Sequence, residues 1–304
     1  MANPLLSLSN HLASIVEQTG PSIVFIDAHP RAGASGVHWR PGVIVTAEHG
    51  LRRDEDIHVA GASGEVLKAQ LAGRDPGTDL AVLKVDGFNA PVANQATTGE
   101  TQPGNLTLAL GRSRNGGVTA SLGIISNVSG AWQTWRGGQL DRHIRLDLSV
   151  YPGSSGGALV DADGKVIGIA TAALSRSAPM AIPLETVNRV TDSLLAHGTV
   201  PRGFIGVGLQ PVALPEHLKT KLNLAQSSGL IVVSVQPGGP AEQGGIMIGD
   251  LLLELAGKSV ADTNDVQQAL DSGSVGKPVP VRLIRGGALA AVQITVGQRP
   301  RRSC

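Results

Sequence analysis

The stretch "YPGSSGGALV", Tyr151 to Val160, allows two very different interpretations of this chain. Two adjacent serines lie between glycines, and the segment then becomes apolar. Serine and glycine runs are typical of flexible, solvated linkers. A serine hydroxyl between glycines also suits the rim of an active site, provided that a base and an orienting carboxylate lie nearby. The rest of the sequence has to distinguish a linker from an active site.

A candidate base and a candidate carboxylate both lie upstream of this stretch. His49 ends the apolar segment "VIVTAEHG", and Asp79 stands just before the apolar segment "LAVLKV". Each residue alone indicates little, since a histidine after a strand is usually structural and "TDL" can be a simple turn. Together with Ser155 they follow the order His, Asp, Ser, which is that of two-barrel serine proteases and not of hydrolases with a G-x-S-x-G elbow. The combination favours an active site.

The composition indicates a globular protein made of many short elements. The length of 304 residues leaves room for two packed cores. Hydrophobic residues make up 41% of the chain and charged residues 16%, which suits a globular protein. It contains 40 glycines and 18 prolines but only 3 Trp, 1 Tyr and 3 Phe, so a mainly β architecture with tight turns is favoured. The net charge of +1 does not indicate a basic surface for nucleic acid, so we expect no nucleic acid as a partner.

The ends of the chain and its cysteine content carry further expectations. Cys304 is the single cysteine and cannot form an internal disulfide, and the histidines lack metal-site spacing. The basic residues Arg299, Arg301 and Arg302 are expected to form a solvated tail. No signal peptide or transmembrane run is evident, so the cytoplasm is expected if Met1 is native, and the periplasm if the start has been trimmed.

Alternating and apolar segments predict strands in two groups separated by a helix. The first group is "SIVFID", "PGVIVTA", "EVLKAQLAG", "DLAVLKV", "NLTLALG", "GVTASLGIIS", "HIRLDLS" and "GALVDADGKVIGIATAA". Leu5, Leu12, Ile15 and Val16 predict an amphipathic helix that ends at Gly20. A second helix, from Pro183 to Gly198, buries the face that carries Val187, Val190, Leu194 and Leu195.

The strand pattern starts again after residue 198. The predicted strands are "FIGVGLQ", "GLIVVSV", "DLLLELAG", "PVPVRLIR" and "LAAVQITV", with short helices in "GPAEQGG" and "TNDVQQAL". We therefore expect a first domain over residues 1–198, a linker over 199–203, a second domain over 204–298 and a basic tail over 299–304.

The chain resembles the HtrA (DegP/DegS-like) family of trypsin-like serine proteases. The resemblance rests on "SGVHWRPGVIVTAEH", "GTDLAVLKV", "LDLSVYPGSSGGALV", "MAIPLETVNRV", "RGFIGVGLQPV" and "VQPGGPAEQGGIMIGDLLLELAGKSV", and it spans nearly the whole sequence. It implies a chymotrypsin-like double β-barrel followed by one PDZ domain, a small β-barrel with two short helices.

The resemblance also implies the residues that act in catalysis. The family pattern G-N-S-G-G selects Ser155, not Ser154, as the nucleophile, with His49 as base and Asp79 as its orienting partner. The amides of Gly153 and Ser155, together with that of Ser154, would form the oxyanion hole. No metal or organic cofactor is required. The implied activity is ATP-independent cleavage of unfolded or damaged polypeptides.

Several positions depart from the family pattern. Gly50, Tyr151 and Ser154 replace an apolar residue and two asparagines, so a looser His49 backbone and a different oxyanion loop are expected. These departures keep a second interpretation open, a peptide-binding chaperone or scaffold with a weak or dormant protease domain. Met180 falls where the family has an aromatic residue near the specificity pocket, which predicts a pocket for small or medium apolar side chains.

The resemblance to PDZ domains implies binding of peptide C-termini by strand addition. Phe204, Ile205 and Gly206 would form the carboxylate-binding loop. Val266 and Leu270 either line the groove or belong to the core, and the sequence does not decide between the two. The family also implies a homotrimer, and the short connection over residues 27–36 favours a trimer over larger cages.

Overall fold

The chain folds into two compact units. The computed structural model describes residues 3–28, 33–97, 101–270 and 272–298. The units are Met1–Val200 and Pro201–Cys304, so the division falls within the predicted linker over residues 199–203. The predicted basic tail, with Arg299, Arg301, Arg302 and Cys304, lies outside the described residues, as do residues 29–32 of the short connection.

The first unit contains two closed six-stranded β-barrels, as predicted. The first barrel follows the order β1-β2-β3-β6-β5-β4 and the second the order β11-β14-β13-β12-β7-β8. The strands of the first are β1 Ile23–Asp27, β2 Ala34–Arg40, β3 Val43–Ala47, β4 Ile57–Ala60, β5 Val66–Asp75 and β6 Leu80–Lys84. Those of the second are β7 Leu106–Arg112, β8 Val118–Ser129, β11 His143–Asp147, β12 Ala158–Val160, β13 Val166–Thr171 and β14 Met180–Pro183, and β9 Trp132–Gln133 pairs with β10 Gln139–Leu140 beside it.

Two helices flank the barrels where the sequence predicts them. Helix α1 spans Pro4–Thr19, with the Asn3 side chain accepting a hydrogen bond from the Leu5 amide at 3.1 Å. Helix α2 spans Leu184–His197 and ends at Gly198, whose φ of 70° is the left-handed conformation expected of a C-cap glycine. Leu5 departs from the prediction, because its side chain is 77% exposed.

The core of the first unit runs from one barrel into the other. Buried side chains of the first barrel, such as Val37 and Leu80, belong to the same cluster as Leu110, Ala158 and Ile169 of the second. This packing fixes the loops of the two barrels against each other. His49 and Asp79 lie at strand ends of the first barrel, and Ser155 lies in the loop before β12 of the second. A Cβ atom on the neighbouring Gly156 would lie 2.5 Å from the Ala47 amide nitrogen at the end of β3, so this loop packs where the barrels join.

The second unit is a six-stranded antiparallel sheet with short helices. Its strand order is β16-β17-β18-β20-β21, with β19 paired to β18, and β15 pairs separately with β22. The strands are β15 Gly203–Phe204, β16 Val207–Ala213, β17 Ser228–Val235, β18 Leu251–Leu255, β19 Lys258–Ser259, β20 Pro278–Arg285, β21 Ala288–Thr295 and β22 Gly297–Gln298. The helices are α3 Glu216–Leu222, α4 Pro240–Gln243 and α5 Thr263–Ala269.

Some elements were not predicted from the strand pattern. Strand β2 is buried on both faces and carries glycine, histidine and tryptophan, so it shows no alternation. Strand β4 has only four residues. Helix α3 has no fully buried residue, and its apolar side consists of only Leu218 and Leu222, which are too few to identify a helix from the sequence. Within the described ranges, no helix combines the length and the apolar character needed to cross a bilayer.

Candidate active site

His49 lies in a short turn at the end of β3. The turn Glu48–Gly50 is a single 3-10 helix, closed by a hydrogen bond from the Leu51 amide to the Glu48 carbonyl at 3.0 Å. A Cβ atom on Gly50 would lie 2.7 Å from the Cβ of Ala34, so this glycine is sterically required. The expected looseness of the His49 backbone is therefore not found, because close packing on β2 holds the turn.

Asp79 is held in place by burial and by hydrogen bonds to its carboxylate and its carbonyl. Its side chain is fully buried, and its φ of 58° is a conformation that a non-glycine residue rarely adopts. One carboxylate oxygen accepts the His49 amide at 3.0 Å, and both oxygens lie 2.9 Å from His49 Nδ1. The Asp79 carbonyl accepts the Glu48 amide at 3.0 Å. These bonds compensate the backbone strain, which is of the kind that persists at functional sites.

Thr171 is a site residue that sequence reasoning missed. It is fully buried at the end of β13, and its hydroxyl donates to Asp79 Oδ2 at 2.5 Å. The carboxylate thus receives Nδ1–H of His49 and the hydroxyl of Thr171 from two different barrels. A threonine at the end of a strand carries no sequence signal of such a role, since it is a common β residue.

The electrostatics of His49 suit a general base. The hydrogen bond to Asp79 raises the pKa of His49 above its ordinary value of 6.5, and the negative charges of Asp79 and Glu48 act in the same direction. Burial of the ring and the positive charge of Arg136 oppose this increase. Because Asp79 binds the Nδ1 proton, the neutral ring leaves Nε2 unprotonated and able to accept a proton.

Ser155 lies half-buried in the loop before β12. Its Oγ accepts the Ala172 amide at 3.4 Å, and among the described residues it has no hydrogen bond to His49. Catalytic hydrogen bonds are often long in proteins without substrate and shorten in the complex. The loop places a serine between the two barrels, with the His49–Asp79 pair on the facing barrel.

Glycines shape this loop because side chains have no space there. Gly153 and Gly156 have φ values of 85° and 88°. A Cβ on Gly156 would lie 2.4 Å from the Ser35 carbonyl oxygen, and one on Gly157 would lie 1.9 Å from that of Leu110. Glycines that suggested a linker are therefore needed for close packing, of Gly156 against the first barrel and of Gly157 against β7 of its own barrel.

The three predicted oxyanion donors are not equivalent. The amides of Gly153 and Ser155 donate no hydrogen bond to any described residue, so both are free to bind a ligand. The Ser154 amide donates to the Tyr151 carbonyl at 2.9 Å. The Ser154 side chain is buried, with its hydroxyl 3.2 Å from that of Thr119. Ser154 is thus a structural member of the loop, and its predicted role as a donor is wrong.

An open cleft of about 650 Å³ begins at Ala172, the residue whose amide contacts Ser155 Oγ. It is lined by Trp135, Ala172, Ala173, Leu174, Ser175 and Arg176. The predicted lining residue Met180 is not among them, because its side chain is only 1% exposed and packs in the core shared by the barrels. The residues after β13 form the cleft instead. No group of three or more His, Cys, Asp or Glu side chains within the described ranges is placed to hold a metal ion.

The predicted peptide-binding loop of the second unit has free amides. Phe204 ends β15, and Gly206 has a φ of 76°. The carbonyls of Ile205 and Gly206 accept the amides of Ala241 and Gln236, each at 2.8 Å. The amides of Ile205 and Gly206 donate to none of the described residues. The loop can therefore offer two N–H groups to a carboxylate, beside the edge strand β16.

The other predicted groove residues belong to the core. Val266 is 6% and Leu270 7% exposed, and both pack in the main apolar cluster of the second unit with Ile205. Of the two interpretations that the sequence left open, the structure favours the core. The predicted role of Val266 and Leu270 as groove-lining residues is not supported.

Known proteins share both units. The trypsin-like peptidase domain matches residues 33–169, and the PDZ domain matches residues 203–296. A probable periplasmic serine endoprotease, DegP-like, from Halomonas elongata is 32% identical over 273 residues, which are 88% of this chain and 56% of the relative. The protein of the same description from Rhizobium meliloti is 34% identical over 278 residues, 89% of this chain and 54% of the relative. The chain thus spans little more than half the length of these relatives.

Solved structures match most of the chain. The HtrA-type protease AlgW with a decapeptide is 30% identical with a TM-score of 0.78, and the match covers 95% of this chain and 99% of that one. The serine endoprotease from Yersinia pestis is 32% identical with a TM-score of 0.77, over 95% of this chain and 98% of that one. With the double barrel, the His-Asp-Ser order and the PDZ unit, this chain belongs to the HtrA family of trypsin-like serine proteases with a C-terminal PDZ domain.

Proposed function

We propose that this chain is an ATP-independent serine endopeptidase that cleaves unfolded or damaged polypeptides. The observation that carries the proposal is the pair of 2.9 Å contacts between His49 Nδ1 and the buried Asp79 carboxylate. This pair fixes the tautomer in which Nε2 is the base, and Ser155 lies in the loop beside it.

The reaction follows from these positions. Ser155 Oγ attacks the peptide carbonyl carbon while His49 Nε2 takes the hydroxyl proton. The carbonyl oxygen becomes an oxyanion, and the free amides of Gly153 and Ser155 donate to it. His49 then gives its proton to the leaving amine, and the acyl-enzyme forms. Water, deprotonated by the same imidazole, hydrolyses that ester and restores the serine.

Cleavage of an unfolded protein tests this proposal. Reduced, carboxymethylated casein and a native, tightly folded protein are each incubated with the chain without ATP, and fragments are followed by mass spectrometry. We expect cleavage of the unfolded substrate only, and none by Ser155→Ala. Equal, negligible cleavage by the wild type and by Ser155→Ala would instead support the peptide-binding scaffold. The observation that favours this alternative is that the described residues show no hydrogen bond between Ser155 and His49.

The pH dependence of activity follows from the raised pKa of His49. The base must be neutral, so kcat/KM falls as pH decreases through the pKa of the free enzyme. Because the Asp79 hydrogen bond raises the pKa of His49, this acidic limb is expected at a midpoint above 6.5. A pH profile of kcat/KM with a peptide substrate measures it. A midpoint at or below 6.5 would contradict the account of the His49 environment.

The cleft supports a preference for small or medium apolar residues before the cleaved bond. Ala172, Ala173 and Leu174 line it, and its charged lining residue is the cation Arg176. A cation cannot pair with a substrate lysine or arginine. The fragment termini from the casein digest give the preference directly. Cleavage restricted to sites after lysine or arginine would refute it.

The PDZ unit is proposed to bind peptide C-termini and to regulate cleavage. The free amides of Ile205 and Gly206 and the open edge of β16 support strand addition. The structure of AlgW with a decapeptide shows that a protein similar to this chain binds a peptide. A labelled decapeptide with a free carboxylate should bind more tightly than its C-terminal amide, and deletion of residues 201–304 should abolish binding. Equal binding of acid and amide would contradict the carboxylate role.

A homotrimer built through the first unit is proposed as the assembly. Leu5, Leu6 and Leu8 are 77%, 57% and 42% exposed on helix α1, and such apolar surface favours burial against another chain. Multi-angle light scattering should give three times the chain mass, and Leu5→Lys should lower it. A stable monomer or hexamer would refute the trimer.

A periplasmic location is proposed in place of the expected cytoplasmic one. The relatives from Halomonas elongata and Rhizobium meliloti are described as probable periplasmic proteases. Osmotic-shock fractionation of the native host should release the protein with the periplasmic fraction, and recovery with the cytosol would contradict this.

A further inference from the structure

Ser35 lies directly behind the nucleophile loop, although it belongs to the other barrel. It is the second residue of β2 and is fully buried. Its hydroxyl donates to the Gly153 carbonyl at 2.8 Å and accepts the Arg112 amide at 3.0 Å. This hydroxyl therefore connects β2, the end of β7 and the loop that carries Ser155.

The Ser35 backbone holds the loop at a second point. Its amide donates to the Ser155 carbonyl at 3.3 Å. Its own carbonyl accepts the Thr46 hydroxyl at 2.6 Å, which anchors the residue to β3. One residue thus fixes the carbonyls of Gly153 and Ser155, the same two residues whose amides are free for an oxyanion.

These bonds restrict the peptide planes on either side of the Ser155 amide. The Gly153–Ser154 plane is held at both ends, by Ser35 at its carbonyl and by the Tyr151 carbonyl at its N–H. The Ser155–Gly156 plane is held by the Ser35 amide and by the bond from the Gly156 amide to Ala170 at 2.9 Å. With both neighbouring planes fixed, the direction of the Ser155 N–H between them is restricted.

The space around the Ser35 hydroxyl leaves no room for a side chain at position 111. A Cβ atom on Gly111 would lie 2.8 Å from Ser35 Oγ and 2.7 Å from Ser154 Oγ. A side chain at position 111 would push both hydroxyls away from their partners. The absence of a side chain at Gly111 thus allows Ser35 and the loop that carries Ser155 to pack together over β7.

We propose that Ser35 is a positioning residue for the oxyanion hole, and that its hydroxyl, by holding the Gly153–Ser154 plane, sets the direction of the Ser155 amide. This proposal rests on the protease function proposed above. It predicts a defect that appears in the transition state, where the oxyanion exists, and not in substrate binding. A buried hydroxyl with a merely structural role would change stability alone.

The test compares Ser35→Ala with Thr107→Val as a matched control. Thr107 is also buried, and its hydroxyl donates to the Val160 carbonyl at 2.7 Å, so its loss removes a similar bond away from the loop. For each variant we measure kcat and KM per folded molecule, with the folded fraction taken from thermal unfolding. We also measure the affinity for a peptide aldehyde, whose adduct with Ser155 places an oxyanion in the hole.

For Ser35→Ala, kcat and aldehyde affinity should both fall roughly 10- to 100-fold with KM unchanged, because misplaced donors lose transition-state stabilisation. Thr107→Val should keep both values. Should Ser35→Ala fail to fold, Gly111→Ala carries the same prediction by displacing the hydroxyl.

Three results would overturn the inference. One is a kcat per folded molecule of Ser35→Ala close to that of the wild type. Another is an equal loss in Thr107→Val, and the third is an increase in KM with an unchanged aldehyde affinity. A wild-type chain without Ser155-dependent cleavage would remove the protease function itself, and the inference with it. That outcome is visible in the wild type alone, so the two failures are distinguishable.

Discussion

Replacing Asp79 by Asn should lower kcat about 10⁴-fold while leaving the fold intact. Asp79 Oδ1 accepts the His49 main-chain amide, so an asparagine keeps its oxygen there and places its NH₂ group at the Oδ2 position, 2.9 Å from His49 Nδ1. Its NH₂ group instead donates to Nδ1, which moves the imidazole proton to Nε2. In that tautomer the ring cannot take the proton of Ser155, so the base is lost.

The matched control is Asp161→Asn, a carboxylate of the same unit outside the site. Asp161 Oδ1 accepts the amides of Asp163 and Lys165, each at 2.9 Å, in the turn between β12 and β13. The control should keep kcat unchanged. Initial rates on a peptide substrate give kcat for both variants. A kcat of Asp79→Asn within tenfold of the wild-type value would show that Asp79 does not orient His49 as the base.

Replacing Ser155 by Ala has the larger expected effect, a loss of about 10⁶-fold in kcat, because the variant lacks the hydroxyl that forms the acyl-enzyme. Ser154 cannot substitute for it. The Ser154 side chain is buried and its hydroxyl contacts that of Thr119 at 3.2 Å. The fold should be unaffected, since the Ser155 hydroxyl accepts only one long bond, from Ala172 at 3.4 Å, among the described residues.

Ser154→Ala serves as the comparison for this variant, because it alters the loop but keeps the nucleophile. Turnover should persist in Ser154→Ala, at a reduced rate, and disappear in Ser155→Ala. Unfolding curves of both variants check that neither substitution has unfolded the first unit. Residual turnover of Ser155→Ala that matches Ser154→Ala would show that a different residue attacks the substrate.

The sequence was sufficient for residues whose chemistry is local. Helix α2 is marked by Pro183, Gly198 and its apolar face, and the strands around His49 and Asp79 are marked by apolar runs. The prediction of Ser155 as the nucleophile comes from the resemblance to the pattern G-N-S-G-G, and the structure shows that Gly156 and Gly157 of this pattern have no space for a side chain. Such signals depend on neighbouring residues in the chain, so they can be recognised from the sequence alone.

Residues that act across the barrels were not predictable. Thr171 and Ser35 contact the catalytic loops from positions 92 and 118 residues away in the chain, and each is an ordinary strand residue by sequence. The same limit applies to apolar residues near a site. Met180 is predicted to lie near the specificity pocket, and the sequence leaves the roles of Val266 and Leu270 open, but packing places all three in the cores. Only tertiary contacts separate a lining side chain from a buried one.

Covalent labelling tests the central claim most directly, namely that Ser155 is a nucleophile activated by His49 and Asp79. The chain is incubated with a fluorophosphonate, and the modified residue is identified by peptide mapping of residues 151–160. We expect one adduct, on Ser155, that forms more slowly as the pH falls through the raised pKa of His49 and that is lost in Asp79→Asn. No adduct, or an adduct on Ser154, would contradict the account.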